Sequence, residues 1–403
     1  MINFKLKDNL SVVDIGTNKV VTINYKKSDD GTLKIFNINH KKSEGIDRSV
    51  ICSQNKFNQT IKNSVLNDKN LIGSQIISSI SDTQLFIKKN FKEINKRGFK
   101  VSKKDVRKIF VENLTSSVDK NMTILHSFPK TFFINGKQIN KDPVGIECEK
   151  LGLGFTNLYV RNSYIKLIEN AFSQSKKNKK IDFIDSGLAS ALSSLTRAEK
   201  TSGATAIDLG AGSVKIVTFL NDNIEFLKNI PLGGNDVTND IQKIIDLKNE
   251  QAEFIKIING TLIPENEEKI GVNLDNGMKK FISSNLLHGI IKPRYEEILE
   301  ITRDALEENI LSSSNMQKIV FTGGASSIKG FESFASNILN RNIRIAQPQT
   351  NYMEINKPEF STVHGLMKIY NNSSLRNIIS VKSWNQKLSM TEKIENWISE
   401  SIN

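Results

Sequence analysis

Two short segments, separated by nearly half the chain, are built alike. Asp14-Ile15-Gly16-Thr17-Asn18-Lys19 and Asp208-Leu209-Gly210-Ala211-Gly212-Ser213 each follow an apolar run, pass through an aspartate and enter a glycine-bearing turn. Val/Ile-rich alternation resumes after each turn, which predicts β-hairpins over residues 11–23 and 205–220. A turn kept open by glycine lets backbone N–H groups approach phosphate oxygens closely, and the Thr17 and Ser213 hydroxyls and the Lys19 ammonium add donors. Two such clamps predict a cleft between two lobes. Asp14 and Asp208, at the ends of their strands, would face each other there and hold the water shell of Mg²⁺, which takes oxygen ligands and keeps much of its water.

One Asp-x-Gly after an apolar strand is ordinarily just a tight turn. The pair gains meaning from a third element, Lys318-Ile319-Val320-Phe321-Thr322-Gly323-Gly324-Ala325-Ser326-Ser327, a short strand that breaks into two glycines ahead of a helix expected over 331–339. Glycine offers no Cβ, so a planar base and ribose can lie directly on such a backbone. The three segments in this order resemble the superfamily of actin, DnaK-type chaperones and sugar kinases. That resemblance implies a two-lobed α/β actin-like ATPase fold and ATP with Mg²⁺. Contacts to it would come from Gly16, Thr17, Asn18, Lys19, Gly210, Ala211, Gly212, Ser213, Gly323 and Gly324.

Within the superfamily one family is similar over residues 10–370. Gly187-Leu188-Ala189-Ser190-Ala191, continuing through Ser194-Leu195-Thr196-Arg197-Ala198-Glu199-Lys200, resembles the lobe-linking helix of FtsA, the bacterial cell-division actin homologue. Ile230-Pro231-Leu232-Gly233-Gly234-Asn235-Asp236 and Pro358-Glu359-Phe360-Ser361-Thr362-Val363-His364-Gly365-Leu366 resemble it further. Ile124-Leu125-His126-Ser127-Phe128-Pro129-Lys130 with Asp142-Pro143-Val144-Gly145-Ile146 is similar to a small subdomain present in FtsA and absent from actin. The implied organisation is a first lobe from 1–81, 161–200 and 358–380, an inserted α/β subdomain at 82–160, and a second lobe at 201–357 whose smaller part is 226–286. Residues 381–403 would be a linker and an amphipathic membrane-targeting helix. The implied partners are the FtsZ C-terminal tail, further copies of the chain in filaments, other division proteins through 82–160, and membrane lipid. Glu253 and Lys256 share a helix face by their spacing of three; in the family such a pair contacts ribose and purine, and by spacing alone it is equally an exposed ion pair.

Composition bounds the remaining classes. A chain of 403 residues exceeds the usual single core and implies two or more domains. The net charge of +13 invites a nucleic-acid reading, but 43 acidic residues are interspersed among 56 basic ones, so no specific nucleic-acid partner is expected. Cys52 and Cys148 are too few for a disulfide framework or zinc site, and the four histidines share no metal or triad spacing. No apolar run reaches the ~20 residues of a membrane span. The expected location is cytoplasmic, peripheral on the inner face of the membrane.

Along the chain, strands are expected around Val12, Val20 and Leu33 and over 75–80, and helices over 58–66, 163–172 and 286–311. Residues 90–97 read as a charged loop, followed by a helix through Asn113 with Ser102 as N-cap and Asp105 in the capping-box slot. The insert then reads as a helix, a strand pair and the Asp142-Pro143 turn. Residues 237–259 read as one helical excursion, with a strand near 269–271.

The chain departs from the family pattern in three places. In hydrolysing relatives a Glu or Gln near the lobe-linking helix orients the attacking water, whereas Asp185 is the nearest carboxylate here, so turnover is expected to be slow. The second hairpin has Ala211 where Gly is usual and Val214-Lys215 where Thr-Asp is common, which brings an extra cation toward the phosphates. The terminal stripe of Ile394, Trp397, Ile398 and Ile402 suits a membrane interface, but Glu392, Glu395 and Glu400 beside it oppose anionic lipid; a helix packed on the body is the alternative. Two rival readings of the whole chain are a sugar or acetate kinase of the same superfamily and a pilus-assembly actin homologue.

Overall fold

The computed structural model describes residues 10–27, 33–67, 75–115, 119–173, 180–264, 266–274, 277–309, 318–348, 350 and 352–371. Two five-stranded sheets repeat one topology. In the first lobe the order is Lys180–Asp185, Gln75–Ile80, Leu10–Ile15, Lys19–Lys27, Leu33–Lys42. In the second it is Ile343–Ile345, Lys318–Thr322, Ala204–Leu209, Val214–Leu220, Asn223–Ile230. Each central strand pairs antiparallel with the strand after its turn and parallel with the strand on its other side. The near-continuous apolar runs follow from burial on both faces: Val12, Val13, Val20, Val21 and Ile23 are wholly buried, as are Ile207, Val214 and Ile216.

Between the sheets run the helices Ser186–Ser194 and Ser361–Asn371. They cross with their backbones in contact, because a Cβ on Gly365 would stand 1.8 Å from the Ala189 carbonyl oxygen. The small residues of Gly187-Leu188-Ala189-Ser190-Ala191 permit that approach, and the first helix is buried along its whole length. A family-like motif is thus explained by packing: it lets two helices meet in the space between lobes.

The insert forms its own sheet in the order Phe86–Lys100, Glu147–Arg161, Met122–Ile134, Lys137–Ile139, against the helix Lys103–Thr115. The expected capping box is present: Ser102 N donates to Asp105 Oδ2 at 3.0 Å, and Asp105 N donates to Ser102 Oγ at 3.4 Å. Two expectations are corrected. The strand pair is a four-stranded sheet, and the supposed loop at 90–97 lies within the strand Phe86–Lys100. That strand is at a sheet edge, where exposed Glu93, Lys96 and Arg97 discourage pairing with another chain, so its charges imitate a loop. Where the chain leaves and re-enters the first lobe, Arg161 Nε donates to Asp82 Oδ1 and Oδ2, both at 3.0 Å, closing the neck of the insert. The insert is also tied to the second lobe by Glu225, which accepts from Lys89 at 2.7 Å and from Lys130 at 2.5 Å.

In the second lobe the excursion over 237–259 is two helices, Gly234–Ile245 and Asn249–Asn259, broken at Asp246, whose φ of +56° ends the first. The long helix Ser284–Asn309 buries Ile290, Ile291, Ile298 and Leu306 as expected, half-buries Ile301 and contains Pro293. Ile310 lies outside the described residues, as does the terminal segment carrying Ile394, Trp397, Ile398 and Ile402. No helix among the described residues is long and apolar enough to cross a membrane.

Candidate functional site: an interlobe cleft

The two hairpins are superimposable in their bonding. Gly16 N donates to Lys19 O at 3.0 Å, and Gly210 N donates to Ser213 O at 3.0 Å. In register, Ile15 faces Val20 and Leu209 faces Val214, so each strand delivers its aspartate one residue before the turn begins to close. The turns meet at a cavity of about 560 Å³, within the usual size of a small-molecule site. Gly16, Thr17, Asn18, Lys19, Gly210, Ala211, Gly212, Ser213, Glu253, Lys256, Gly323 and Gly324 all line it, together with Asp14 and Asp208.

Asp185 does not line this cavity. It is buried, its Oδ1 capping the helix Ser186–Ser194 by accepting from Leu188 N at 2.7 Å. Its Oδ2 has no hydrogen-bond partner among the described residues, and burial pushes its carboxyl up to about 6 despite that cap and the nearby Lys215 ammonium. Asp14 is also raised by burial, against a 2.8 Å hydrogen bond donated by Ser79 Oγ and the opposing influence of Lys215.

Lys19, expected as a phosphate donor, is ion-paired with Glu359 at 2.8 Å and lies 4.2 Å from the centre of the Phe360 ring. The Glu253/Lys256 pair is largely shielded: the Lys256 side chain is only 9% exposed. Its Nζ donates to Glu253 Oε2 at 2.6 Å, Thr238 Oγ1 at 2.7 Å and Gly234 O at 3.0 Å. Burial lowers the Lys256 pKa, with Glu253 acting against it. Opposite, Gly323 has φ +90°, and a Cβ there would stand 2.4 Å from both Asp208 Oδ1 and Leu209 O, so only glycine lets the third strand end beside the second hairpin.

Some members of the site carry no sequence motif. Ser49 Oγ lies 2.9 Å from Ser213 Oγ and accepts from Ser81 Oγ at 3.1 Å, joining first-lobe residues to the second hairpin. Arg48 pairs with Asp236 across the lobes. The Ser49–Ser213 and Arg48–Asp236 contacts link positions more than 150 residues apart, which local patterns do not encode.

The residues present fit a nucleotide. Glycine backbone lines the cavity from three sides, and Ser186 Oγ, buried at its wall, has no hydrogen-bond partner among the described residues. They fit Mg²⁺ less well at Asp208. Lys215 faces Asp208 across the antiparallel hairpin, and its Nζ stands 3.6 Å from Asp208 Oδ2.

Residues 205–365 match the family model described as cell division protein FtsA, and residues 81–159 match the model of the SHS2 domain inserted in FtsA; the two together span more than half of the chain. The chain is similar to cell division protein FtsA of Agrobacterium fabrum, 29% identical over 280 residues that cover 67% of this chain and 63% of that protein. It is 27% identical to cell division protein FtsA of Escherichia coli K12 over 318 residues, covering 72% and 75% of the two chains. The match to the Agrobacterium relative thus spans under two thirds of that protein's length. Among solved structures, a chain of the PilM-PilN type IV pilus biogenesis complex aligns with TM-score 0.60 at 14% identity, covering 90% of this chain and 99% of that one. MreB5 of Spiroplasma citri bound to ADP aligns with TM-score 0.55 at 14% identity, covering 92% and 98%. At such identities the likeness is one of fold: two-lobed, α/β and actin-like.

Proposed function

Because the chain belongs to the FtsA family of bacterial cell-division proteins, we propose that it binds ATP between its lobes and acts in division as a nucleotide-controlled polymer subunit. The observation that carries the reading is the convergence of two identically bonded glycine turns on one cavity. The structurally similar MreB5 was solved bound to ADP, which supports placing a nucleotide in the corresponding cleft here.

Bound triphosphate would supply negative charge that reaches both lobes at once. Backbone N–H groups of 17–19 and 211–213 and the Thr17 and Ser213 hydroxyls would hold it from opposite sides. Lys215 would neutralise charge from the floor, while Glu253, Lys256 and the Gly323-Gly324 backbone hold ribose and base. A ligand that contacts both lobes favours the closed state by its differential affinity, and the closed state is the one that polymerises.

The family assignment supports a wider proposal. Filaments of this chain would tether FtsZ through its C-terminal tail to the inner face of the cytoplasmic membrane, with residues 82–160 receiving other division proteins and residues 381–403 binding lipid. Matches to both the second lobe and the insert favour this over pilus assembly, and Asp185, the candidate base of the kinase reading, is engaged in capping a helix. Co-sedimentation with FtsZ filaments, intact and lacking the C-terminal tail, tests it. Pelleting with intact filaments alone is expected; equal pelleting with both would reject the tail as the partner.

A further inference from the structure

The floor of the cleft carries its own cation. Lys215 leaves the strand Val214–Leu220 directly opposite Asp208, a register that fixes both side chains on the same side of the hairpin. Its ammonium is 3.6 Å from Asp208 Oδ2 and 3.7 Å from the place a Cβ on Gly210 would occupy, so it reaches the turn itself. The first hairpin has Val21 at the matching position opposite Asp14. The cation therefore enters from one lobe only, and it also lies close enough to Asp14 and Asp185 to act on both.

A hydrated Mg²⁺ needs near-octahedral oxygen ligation and room for several waters. At Asp208 that space has a competing occupant. The Lys215 side chain is 12% exposed and that of Asp208 8%, so the pair is shielded from water and the ammonium cannot swing away into bulk solvent without uncovering a buried carboxylate. A divalent ion at the same oxygen would also stand beside a like charge. The ammonium, by contrast, is already placed at the glycine turn and offers three donors to phosphate oxygens.

We propose that Lys215 is the resident counter-cation of this cleft, so that the chain binds a nucleoside triphosphate without a divalent metal. The inference rests on the nucleotide reading above and is separable from it. ATP is titrated calorimetrically into the full chain in excess EDTA and again in Mg²⁺. The expected result is affinity within about threefold in the two buffers, well inside the worth of one charged hydrogen bond. Lys215→Asp should lose roughly 10- to 100-fold in EDTA and recover in Mg²⁺, because the new carboxylate restores an oxygen site. Lys215→Arg should stay metal-independent.

A parent whose affinity falls more than about tenfold on metal removal overturns the inference and leaves the nucleotide cleft standing. Absence of binding in both buffers overturns both. The parent comparison needs no variant, so a substitution that unfolds the chain leaves the test intact.

Discussion

Gly212 lies against Thr17: a methyl carbon built on the glycine would stand 2.2 Å from Thr17 Oγ1 and 2.8 Å from Thr17 Cβ. The tips of the two hairpins, one from each lobe, therefore touch through a position where only hydrogen fits. Lobe closure has a steric gauge at this point. Gly212→Ala should wedge the tips apart and weaken ATP binding by about 10- to 100-fold, the usual 1–3 kcal/mol of overpacking. Thr17→Gly relieves that clash but removes a phosphate-facing hydroxyl, so the double variant should bind ATP no more weakly than Thr17→Gly alone. Calorimetry on the four proteins of this cycle measures the coupling; simple additivity would mean that the tips do not meet when nucleotide is bound.

Gly210 is less crowded. A Cβ there would stand 3.2 Å from Ser213 O and 3.7 Å from Lys215 Nζ, so the hairpin itself has near room for it. The branches of a valine would extend into the turn that the phosphates need. Gly210→Val is expected to remove ATP binding, by at least about 100-fold, with a change in melting temperature of only a few degrees, of the order of 1 kcal/mol. Retained affinity would place the phosphates elsewhere in the cavity.

Asp185 separates a structural from a chemical role. Its carboxyl is raised from 3.8 to about 6, chiefly by burial. A group raised in the folded state binds its proton more tightly there than in the unfolded chain. The resulting stability is fully present below pH 3.8 and is lost as pH rises to about 6, a cost on the order of 3 kcal/mol at pH 7. His364 runs the other way: burial lowers it to about 4, so its stability is present above its ordinary value of 6.5 and is lost as pH falls through about 4. The two trends oppose each other in the parent. Comparison with Asp185→Asn isolates the first, since the amide oxygen can still accept from Leu188 N. Urea unfolding should show the variant more stable at pH 7 and equal to the parent near pH 3.5. Phosphate release, expected far below the ~10 s⁻¹ of metabolic enzymes, should not change; its loss would make Asp185 a catalytic group after all.

Sequence reveals whatever is written locally. The hairpin aspartates, the strand Gln75–Ile80, the helix Phe331–Leu339 and the capping box at Ser102 each have a periodic or capping signature within a few residues. The position of Lys215 is legible for the same reason, because a hairpin with a known turn fixes its cross-strand neighbours. The contact of Gly212 with Thr17, the neck pair Asp82–Arg161 and the Glu225 tie to Lys89 and Lys130 are tertiary, and nothing in their local sequence distinguishes them from surface residues. Residues 90–97 mislead for a related reason: an exposed edge strand and a solvated loop select the same charged residues.

Membrane attachment is expected of the terminal stripe Ile394, Trp397, Ile398 and Ile402. Burying these four side chains at a lipid interface yields several kcal/mol in gross terms at roughly 25 cal/mol per Å², less the cost of ordering the helix. Glu392, Glu395 and Glu400 further oppose an anionic surface. A single copy should therefore bind liposomes weakly, while a filament presents many copies at high effective concentration and should bind strongly. Truncation after Ser383, or Trp397→Glu, should release the chain from liposomes under polymerising conditions and leave ATP titrations unchanged. Equal pelleting of parent and truncated chain would mean that the segment packs on the body rather than on lipid.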